Sequence, residues 1–400
     1  MKSLSLKIQQ LEESQTLAFT MRARQLREQG ADVVSLTAGE PDFPTPMHVK
    51  MAAIRAIEEN FTHYTSNAGI PELLKAIQQK FEKDNNLKFD TKQLLVSCGA
   101  KHSIYNVLQA ICNKGDEVVI AAPFWVSYPE MVRLVDAKPV IVSADAESRY
   151  KITPQQLRKA INQHTKAFIF NSPNNPTGAV YSQGEIEELA EVIQETGIFV
   201  IADEIYEKLV YDKAKHFSIG SIKEIAEQVV TVNGVSKAYA MTGWRIGFLG
   251  ASKSIVDGAA KVQSQVTSNA SSISQRAATA ALCGPQQEIA DMVTEFQRRR
   301  DFICDRLAKV PGLDVNRPQG AFYMFLPVKN FVNKRIKNTV MKDDMDICRF
   351  FLDEELLAMV PGGAFGAKDH IRLSYACSMK DLEKSAKRLQ SGFKKLQEGW

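Results

Sequence analysis

The sequence lacks the features that would place it among membrane or nucleic-acid-binding proteins. No apolar run approaches the roughly 20 residues that a bilayer requires, so we expect no membrane-spanning segment. The 50 basic and 46 acidic residues are spread along the chain, and no block of like charge indicates nucleic acid as a partner. Neither an internal repeat nor a low-complexity linker is present. The 400 residues are enough for two domains, or for one large α/β domain with a smaller companion.

Cysteine is scarce and has no regular spacing. The six cysteines never form a C-x-x-C pair, and no histidine lies at metal-ligand spacing from them. We therefore expect neither a metal site nor a disulfide framework, but reduced and mostly buried thiols. The first 15 residues have no apolar core and no cleavage signal, which predicts a cytoplasmic protein.

Short apolar runs alternate with helical patterns through the first two thirds of the chain. Seven of these runs predict strands at Leu94–Val96, Glu117–Ala121, Pro139–Val142, Ala167–Phe170, Ile198–Ala202, Val229–Val232 and Ile246–Leu249. Amphipathic patterns such as Lys101–Ile111 and Glu185–Thr196 separate them. Strands joined through helices favour a mostly parallel seven-stranded sheet with helices on both faces.

The pattern changes towards the C-terminus. A long charged helix is followed by two short strands, Ala321–Leu326 and His370–Tyr375, and by a C-terminal amphipathic helix. This order predicts a second, smaller α/β domain. We expect a large domain at 47–285, and a small domain that combines 1–46 with 286–400.

A lysine stands just beyond the sixth predicted strand. Lys237 follows the run Val229–Val232 and the turn signal Asn233-Gly234, and its neighbours are small. Desolvation lowers the pKa of a lysine and makes the neutral amine available to form a Schiff base. The alternative is an ordinary solvated lysine in a loop.

Polar or aromatic residues follow four other predicted strands, where ligands of open parallel sheets bind. Gly99–Lys101 open a helix whose N–H groups suit a phosphate, unless they form only a turn. Asn175 lies in a rigid turn with two X-Pro steps. Asp203 is either a buried ligand group or the cap of a following helix. Trp125 belongs to an aromatic cluster that could be core or could stack on a flat ring.

These five strand ends together predict a cofactor. They offer a phosphate cradle, an aromatic plate, an amide, a buried carboxylate and a lysine. Pyridoxal 5′-phosphate needs an anion site, a stacking face, a hydrogen bond to O3′, a carboxylate at its ring nitrogen and a lysine for its aldehyde. The sequence therefore predicts pyridoxal phosphate as the cofactor.

Four motifs carry a family resemblance that covers essentially the whole chain: NSPNNPTG, ADEIY, SKAYAMTGWRIG and IRLSY. They resemble the motifs of the class I, fold-type I pyridoxal-phosphate aminotransferases. Two further segments, TAGEPDF and PFWVSYPEM, resemble the bacterial aspartate aminotransferases of the subgroup that includes aspartate/prephenate aminotransferases. The resemblance implies a homodimer that transfers amino groups between aspartate or glutamate and 2-oxoglutarate or oxaloacetate.

The resemblance also implies roles for individual residues. Lys237 would form the Schiff base with the cofactor and then shuttle the substrate proton, while Asp203 would pair with the ring nitrogen. The other cofactor contacts that it implies are Asn175 and Tyr206 at O3′, Trp125 on the ring, Gly99, Ala100, Lys101, Ser236 and Arg245 at the phosphate, and Tyr64 from the partner subunit. The substrate contacts that it implies are Gly39 and Arg372 at the α-carboxylate, Lys101 at the second carboxylate, and also Trp125 and Asn175.

Substrate choice depends on Lys101. The arginine with which the animal-type enzymes bind the distal carboxylate has no clear counterpart here, and the lysine of the Gly-x-Lys turn takes that role in the subgroup. The helix dipole disfavours a cation at a helix N-terminus, so a lysine at this position needs a reason such as a ligand. The alternative is a solvated lysine in the first turn of the helix. Thr16 with Lys101 also resembles the members that use prephenate. Many of those carry a basic residue near the position of Glu12, where this chain is acidic.

Other functions share parts of this pattern. A β-lyase or decarboxylase on the same fold would keep Lys237 and Asp203, and so would a broader aromatic or kynurenine-type aminotransferase. A nicotinamide-linked dehydrogenase would also be doubly wound, but no predicted strand-to-helix turn contains G-x-G-x-x-G. A non-catalytic module would be expected to lose the lysine or to add a DNA-binding segment, and the sequence shows neither.

Overall fold

The computed structural model of the protein covers most of the chain. It describes residues 4–9, 11, 15–337 and 339–399. Within these ranges, the side chains of residues 6 and 15–17 are not described. None of the helices in this part of the chain is long and apolar enough to cross a membrane.

The helices and strands are numbered here in chain order. The α-helices are α1 (Leu6–Gln9), α2 (Gln15–Glu28), α3 (Met47–Glu58), α4 (Pro71–Asn85), α5 (Ala100–Ile111), α6 (Ser127–Leu134), α7 (Pro154–Ala160), α8 (Gln183–Thr196), α9 (Lys253–Val266), α10 (Ser272–Cys283), α11 (Gln287–Leu307), α12 (Asp344–Glu354) and α13 (Met379–Glu398). The strands are β1 (Val34–Ser35), β2 (Leu94–Ser97), β3 (Glu117–Ala122), β4 (Lys138–Ser143), β5 (Thr165–Asn171), β6 (Phe199–Asp203), β7 (Val229–Gly234), β8 (Gly247–Gly250), β9 (Tyr323–Pro327), β10 (Arg335–Ile336), β11 (Thr339–Val340), β12 (Leu357–Ala358), β13 (Val360–Pro361) and β14 (His370–Ser374).

A seven-stranded sheet forms the centre of the larger part of the molecule, in the order β2-β8-β7-β6-β5-β3-β4. β8 runs antiparallel to both of its neighbours, and the other pairs are parallel. The predicted mostly parallel sheet is therefore confirmed, and each of its seven strands lies within two residues of its predicted bounds.

Helices cover both faces of this sheet. Successive side chains of a strand point to opposite faces. Ile120 and Ile169 accordingly pack in one cluster with α5, α6 and α9, whereas Val119 and Phe168 pack in another with α7 and α8. Both faces are buried, as a parallel sheet built from helical crossovers requires.

The crossover between β5 and β6 shows how local sequence fixes an element. α8 begins with a capping box, in which Ser182 accepts from the Glu185 N–H and Glu185 accepts from the Ser182 N–H. It ends at Gly197, whose φ of +70° lies in the left-handed region that glycine adopts without strain. Defined ends hold the two strands in parallel register, and so bring Asn171 beside Asp203.

The smaller part of the molecule joins the two ends of the chain. β13, β14 and β9 form an antiparallel sheet, and the short strand β1 pairs with β12, so that Val34 lies opposite Leu357. One apolar cluster extends from Phe19 on α2 to Leu396 on α13. This packing supports the boundaries that we propose, 47–285 for the large domain and 1–46 with 286–400 for the small one.

The cysteines agree with the sequence analysis in one respect and differ in another. All six are free thiols, as predicted. The expectation that most are buried is wrong, because only Cys304 and Cys348 among them are buried. Cys283, for example, is exposed because it ends α10 at the surface.

Candidate active site

A cavity of about 340 Å³ opens at the carboxyl ends of the central strands, within the range of about 300–1,000 Å³ that is usual for small-molecule sites. Asn171 and Asp203, the last residues of β5 and β6, line it, and Lys237 lines it just beyond β7. Eleven of the thirteen predicted site residues belong to its lining: Gly39, Ala100, Lys101, Trp125, Asn175, Asp203, Tyr206, Ser236, Lys237, Arg245 and Arg372.

Lys237 is half-buried, and its amine lies at the wall of the cavity. Its Nζ donates a hydrogen bond to the carbonyl oxygen of Gly39 at 2.5 Å and lies 5.9 Å from the centre of the Tyr206 ring. Burial lowers the pKa of Lys237 to about 8; the charges of Glu40 and Asp203 oppose this fall, whereas those of Arg245 and Arg372 add to it. A larger share of neutral amine than in an exposed lysine favours a nucleophile over a solvated loop residue.

Asp203 is a buried carboxylate inside the cavity. Its Oδ2 accepts from the Tyr128 hydroxyl at 2.6 Å, and its Oδ1 accepts from the Ile205 N–H at 3.3 Å. Burial raises the pKa of Asp203 to about 6, although these hydrogen bonds oppose the rise. A turn follows β6, so the alternative in which Asp203 caps a helix is wrong. A cationic ring nitrogen beside the carboxylate would offset the cost of its burial.

Arg372 is a buried guanidinium that lacks an acidic partner. It lies on β14 and is only 3% exposed. Its Nη1 donates to Asn175 Oδ1 at 3.2 Å and its Nη2 to the carbonyl oxygen of Thr37 at 2.8 Å, while its buried Nε has no hydrogen-bond partner among the described residues. Burial lowers the pKa of Arg372. Because no carboxylate in the described part of the chain pairs with it, this side chain suits the carboxylate of a ligand.

The N-terminus of α5 and Arg245 form an anion cradle. Gly99 precedes the helix with a φ of +91°, and no side chain caps the first N–H groups. A Cβ on Gly99 would lie 2.5 Å from Nη2 of Arg245, and a Cβ on Gly247 would lie 2.2 Å from the Ala100 nitrogen. Glycine is thus needed at both positions for the close approach. The free N–H groups and the guanidinium provide the charge that a phosphate requires.

Trp125 and Lys101 lie together at the mouth of the cavity. The half-buried Trp125 ring packs edge-on against Tyr128, with ring centres 5.4 Å apart. Nζ of Lys101 lies 4.7 Å from the centre of the Trp125 ring. Lys101 is exposed as a residue, but the partial burial of its amine, together with the charge of Arg245, lowers its pKa. Among the residues that the structure describes, no carboxylate forms an ion pair with Lys101.

Two predicted site residues lie outside the lining of the cavity. Gly99 immediately precedes Ala100, the first residue of α5, which does line the cavity. Tyr64 is 91% exposed, away from the cavity of its own chain. The role of Tyr64 at a partner's phosphate stays a prediction.

The sequence analysis missed three residues that hold these groups in place. Asn171 donates to the Asp203 carbonyl oxygen at 2.8 Å and accepts from the Asn175 N–H at 3.0 Å. Tyr128 holds Asp203, and the hydroxyl of Tyr323 lies 2.9 Å from that of Tyr206. Asn171 and Tyr128 occur in motifs that carry the resemblance, which is a usable signal. Tyr323 starts β9, far along the chain, and no local pattern marks it.

The site fits pyridoxal phosphate. The uncapped helix and Arg245 would hold its phosphate, Trp125 offers a face for its ring, and Asp203 would meet its ring nitrogen. The amine of Lys237 lies in the same cavity for its aldehyde. After these assignments, the cations Lys101 and Arg372 remain for the carboxylates of a substrate.

Comparison with known proteins agrees with this geometry. The family described as aminotransferase class I and II matches residues 31–389. The chain is 42% identical to an aspartate aminotransferase of Bacillus sp. (strain YM-2), over 96% of this chain and 98% of that one. It is also 42% identical to a probable aspartate/prephenate aminotransferase of Rickettsia bellii, over 98% of each. The aspartate aminotransferase of Thermus thermophilus solved with maleate superposes with a TM-score of 0.92 at 40% identity, covering 98% of this chain and 100% of that one. The chain therefore belongs to the class I and II aminotransferases, a family of pyridoxal-phosphate enzymes.

Proposed function

We propose that this protein is an aspartate aminotransferase, which exchanges the amino group of aspartate or glutamate with 2-oxoglutarate or oxaloacetate. The observation that carries the proposal is the pair of cations, Lys101 and Arg372, beside the cofactor pocket. Neither has a carboxylate partner in the described part of the chain. A dicarboxylic amino acid would supply both missing anions. The names of the relatives in Bacillus and Rickettsia support this choice.

Different side chains of the cavity perform different tasks in the reaction. When bound, the cofactor supplies an electron sink for the pair left as the substrate Cα loses its proton. Nζ of Lys237 accepts that proton and returns it, for which its lowered pKa is suited. The Asp203 carboxylate, held by Tyr128, keeps the ring nitrogen protonated. Arg372 fixes the α-carboxylate and so orients Cα towards the amine.

Prephenate is a second candidate substrate. It also carries two carboxylates, which Lys101 and Arg372 could bind in the same way, and a relative in Rickettsia is named for it. The two sequence features that bear on prephenate lie outside the described positions: Glu12 is not described, nor is the side chain of Thr16. Their effect on substrate choice stays a prediction.

The other reactions on this fold are less well supported. A β-lyase or decarboxylase would need Lys237 and Asp203 but not a second cation for a distal carboxylate. The position of Lys101 over Trp125, open to the cavity, therefore favours transamination of dicarboxylic substrates.

The test is a panel of amino donors. Purified protein loaded with pyridoxal phosphate is incubated with 2-oxoglutarate and either aspartate or phenylalanine, and with prephenate and either aspartate or glutamate. We expect kcat/KM for aspartate to exceed that for phenylalanine by at least about 30-fold, because the second carboxylate adds a charge-assisted contact. Equal values for the two donors, or release of ammonia without formation of a new amino acid, would contradict the proposal.

We also propose that the protein is a symmetric homodimer in which Tyr64 reaches the partner's phosphate site. Met47, Met51 and Ile54 share one face of α3, and all three are exposed, as is Tyr64. An exposed apolar helix face and an exposed aromatic residue on the same chain suit contact with a second copy. Sedimentation should give a species of twice 44.6 kDa. An active monomer would refute this proposal.

A cytoplasmic location belongs to the same proposal. All six cysteines are free, which suits a reducing compartment. Fractionation of the source cells would test the location directly.

A further inference from the structure

A hydrogen bond between two buried tyrosines lies at the wall of the cavity. The hydroxyls of Tyr206 and Tyr323 are 2.9 Å apart, and both side chains line the site. Tyr206 lies in the turn after β6, whereas Tyr323 begins β9 in the smaller part of the molecule. Gly39 leaves room for this contact, because a Cβ there would lie 3.3 Å from the Tyr323 hydroxyl. The pair therefore links the cofactor side of the site to its substrate side.

The surroundings of the two hydroxyls give this hydrogen bond a direction. Burial raises the pKa of Tyr206 well above its ordinary value, and the neighbouring Tyr323 and Asp203 raise it further. Burial also raises the pKa of Tyr323, but the charge of Arg372, whose guanidinium lies 4.6 Å from the Tyr323 ring centre, opposes that rise. Arg372 opposes the rise for Tyr206 as well. A hydroxyl has one hydrogen, so a Tyr206 that donates to O3′ can only accept from Tyr323, and Tyr323 is then the donor of this hydrogen bond. A Tyr206 oxygen that accepts from Tyr323 has its own hydrogen free for another acceptor.

We propose that Tyr323 is a positioning residue, which donates to Tyr206 and so directs the Tyr206 hydrogen towards O3′ of the cofactor. The inference rests on the proposed function and adds to it a residue that does not itself touch the cofactor. Chained hydrogen bonds polarise one another, so a donor behind Tyr206 strengthens the bond that Tyr206 makes. A stronger donor at O3′ stabilises that oxygen as an anion. It thereby lowers the pH at which the nitrogen that joins Lys237 to the cofactor loses its proton.

The experiment follows the absorbance of the bound cofactor as a function of pH in the reconstituted protein. Tyr206→Phe removes the direct donor and should raise the midpoint pH of the absorbance change by about one to two units. This estimate comes from the usual strength of a hydrogen bond to a charged group. Tyr323→Phe keeps the ring against Arg372 and should raise the midpoint by about half to one unit. In the double variant, Tyr323→Phe should add nothing, because its effect passes through Tyr206.

A matched control separates this role from the loss of any buried hydroxyl. Tyr375 is fully buried in the same region, and its hydroxyl donates to the Ala321 carbonyl oxygen at 3.1 Å. Tyr375→Phe should leave the midpoint unchanged. An unchanged midpoint in Tyr323→Phe would overturn the inference. So would a shift caused by Tyr323→Phe that is as large in the Tyr206→Phe background as in the unaltered protein. Absence of any pH-dependent cofactor band in the unaltered protein would overturn the proposed function instead, so the two failures are distinguishable.

Discussion

Two groups of buried polar side chains meet at the end of β6, and they differ in how their charges are balanced. Asp203 belongs to the active-site cavity, where Lys237 and Arg372 have no carboxylate ion-pair partner among the described residues. The next residue, Glu204, belongs to a second group that we call the rear cluster. The rear cluster consists of Lys80, Asn85, Glu204, Glu207, His216 and Ser218.

Each carboxylate of the rear cluster has several partners. Lys80 pairs with Glu207 and donates to Asn85 at 2.5 Å. Asn85 donates to Glu204 at 2.9 Å and to Glu207 at 2.6 Å. His216 and Ser218, at 3.0 and 2.7 Å, complete the contacts of Glu204. Glu204, Glu207 and His216 also bring potential metal-ligand atoms within 4.8 Å of one another, but the ammonium of Lys80 already supplies a cation there.

The difference between the two groups separates a structural role from a binding role. A buried charge costs several kcal/mol unless a partner offsets it. The rear cluster offsets its charges internally, so it can hold α4 against the turn that follows Asp203 and carries Tyr206. Among the described residues, the cations of the cavity form no ion pair with a carboxylate, and a cofactor and a dicarboxylic substrate would supply the missing anions. Substitutions in the two groups should therefore have opposite signatures.

Lys237→Ala should show the largest effect, and only on activity. Loss of the amine removes both the attachment of the cofactor and the proton transfer, so we expect transamination to fall by about 10⁴-fold. The unfolding free energy of the cofactor-free protein, from urea denaturation, should stay level or rise, because the substitution removes a desolvated amine that forms no ion pair with any described residue. A loss of several kcal/mol would show that Lys237 is a structural residue.

Lys80→Met should show the reverse pattern. It leaves Glu207 buried without its cation, which typically costs about 3–5 kcal/mol of unfolding free energy. The kcat/KM of the folded enzyme should stay within a few fold. Lys83→Met on the exposed side of the same helix is the matched control and should change neither quantity. Equal unfolding free energies for Lys80→Met and Lys83→Met would contradict the structural role of the rear cluster.

Lys101→Ser tests whether the positive charge of Lys101, at the mouth of the cavity, binds the second carboxylate of the substrate. Loss of a charge-assisted contact costs about 2–4 kcal/mol, so kcat/KM for aspartate should fall by about 30- to 1,000-fold. The value for phenylalanine should stay within a few fold, whereas Arg372→Ala should lower both. If Lys101→Ser lowered both donors equally, the lysine would hold the cofactor phosphate or the fold, and our account of specificity would be wrong.

The smallest effect concerns the pH dependence of stability that arises from His216. Burial alone would lower the pKa of His216, but Glu204 and Glu207 raise it above 6.5. A histidine whose pKa is raised by folding stabilises the protein fully below its unfolded-state pKa of about 6.5 and loses that contribution as pH rises through the folded-state pKa. Unfolding free energy should therefore decline above pH 6.5, by at most about 1.4 kcal/mol per pH unit for one proton.

His216→Gln should flatten this decline in urea denaturation series, while His63→Gln, an exposed position, should leave it as it is. The same slope in both variants would assign the pH dependence to other groups. The slopes are compared rather than the absolute stabilities, because His216→Gln also alters a buried contact.

The sequence alone predicted what depends on local pattern. The seven strands follow from runs of apolar residues, and Asn175, Asp203 and Lys237 were found because ligands bind where parallel strands end. The supporting contacts were not predictable in this way. Tyr128 and Asp203 are 75 residues apart, and Tyr206 and Tyr323 are 117 apart, so no spacing rule connects them.

The rear cluster escaped prediction for the same reason. Asn85 and Glu207 are 122 residues apart, and each looks like an ordinary surface residue in its own segment. Glu204 even occurs within a motif that carries the resemblance, yet its side chain belongs to the rear cluster rather than to the cavity. The face to which a side chain turns is a property of the folded sheet, and neighbours in sequence can serve different purposes.

The central claim is that Lys237 is the amine to which this cavity attaches pyridoxal phosphate. The most direct measurement is reduction of the reconstituted protein with borohydride, followed by peptide mapping of the pyridoxyl group. The account predicts that the group is found on Lys237 in the unaltered protein and is absent from that peptide in Lys237→Ala. A pyridoxyl group on another lysine of the unaltered protein, such as Lys101, would contradict it.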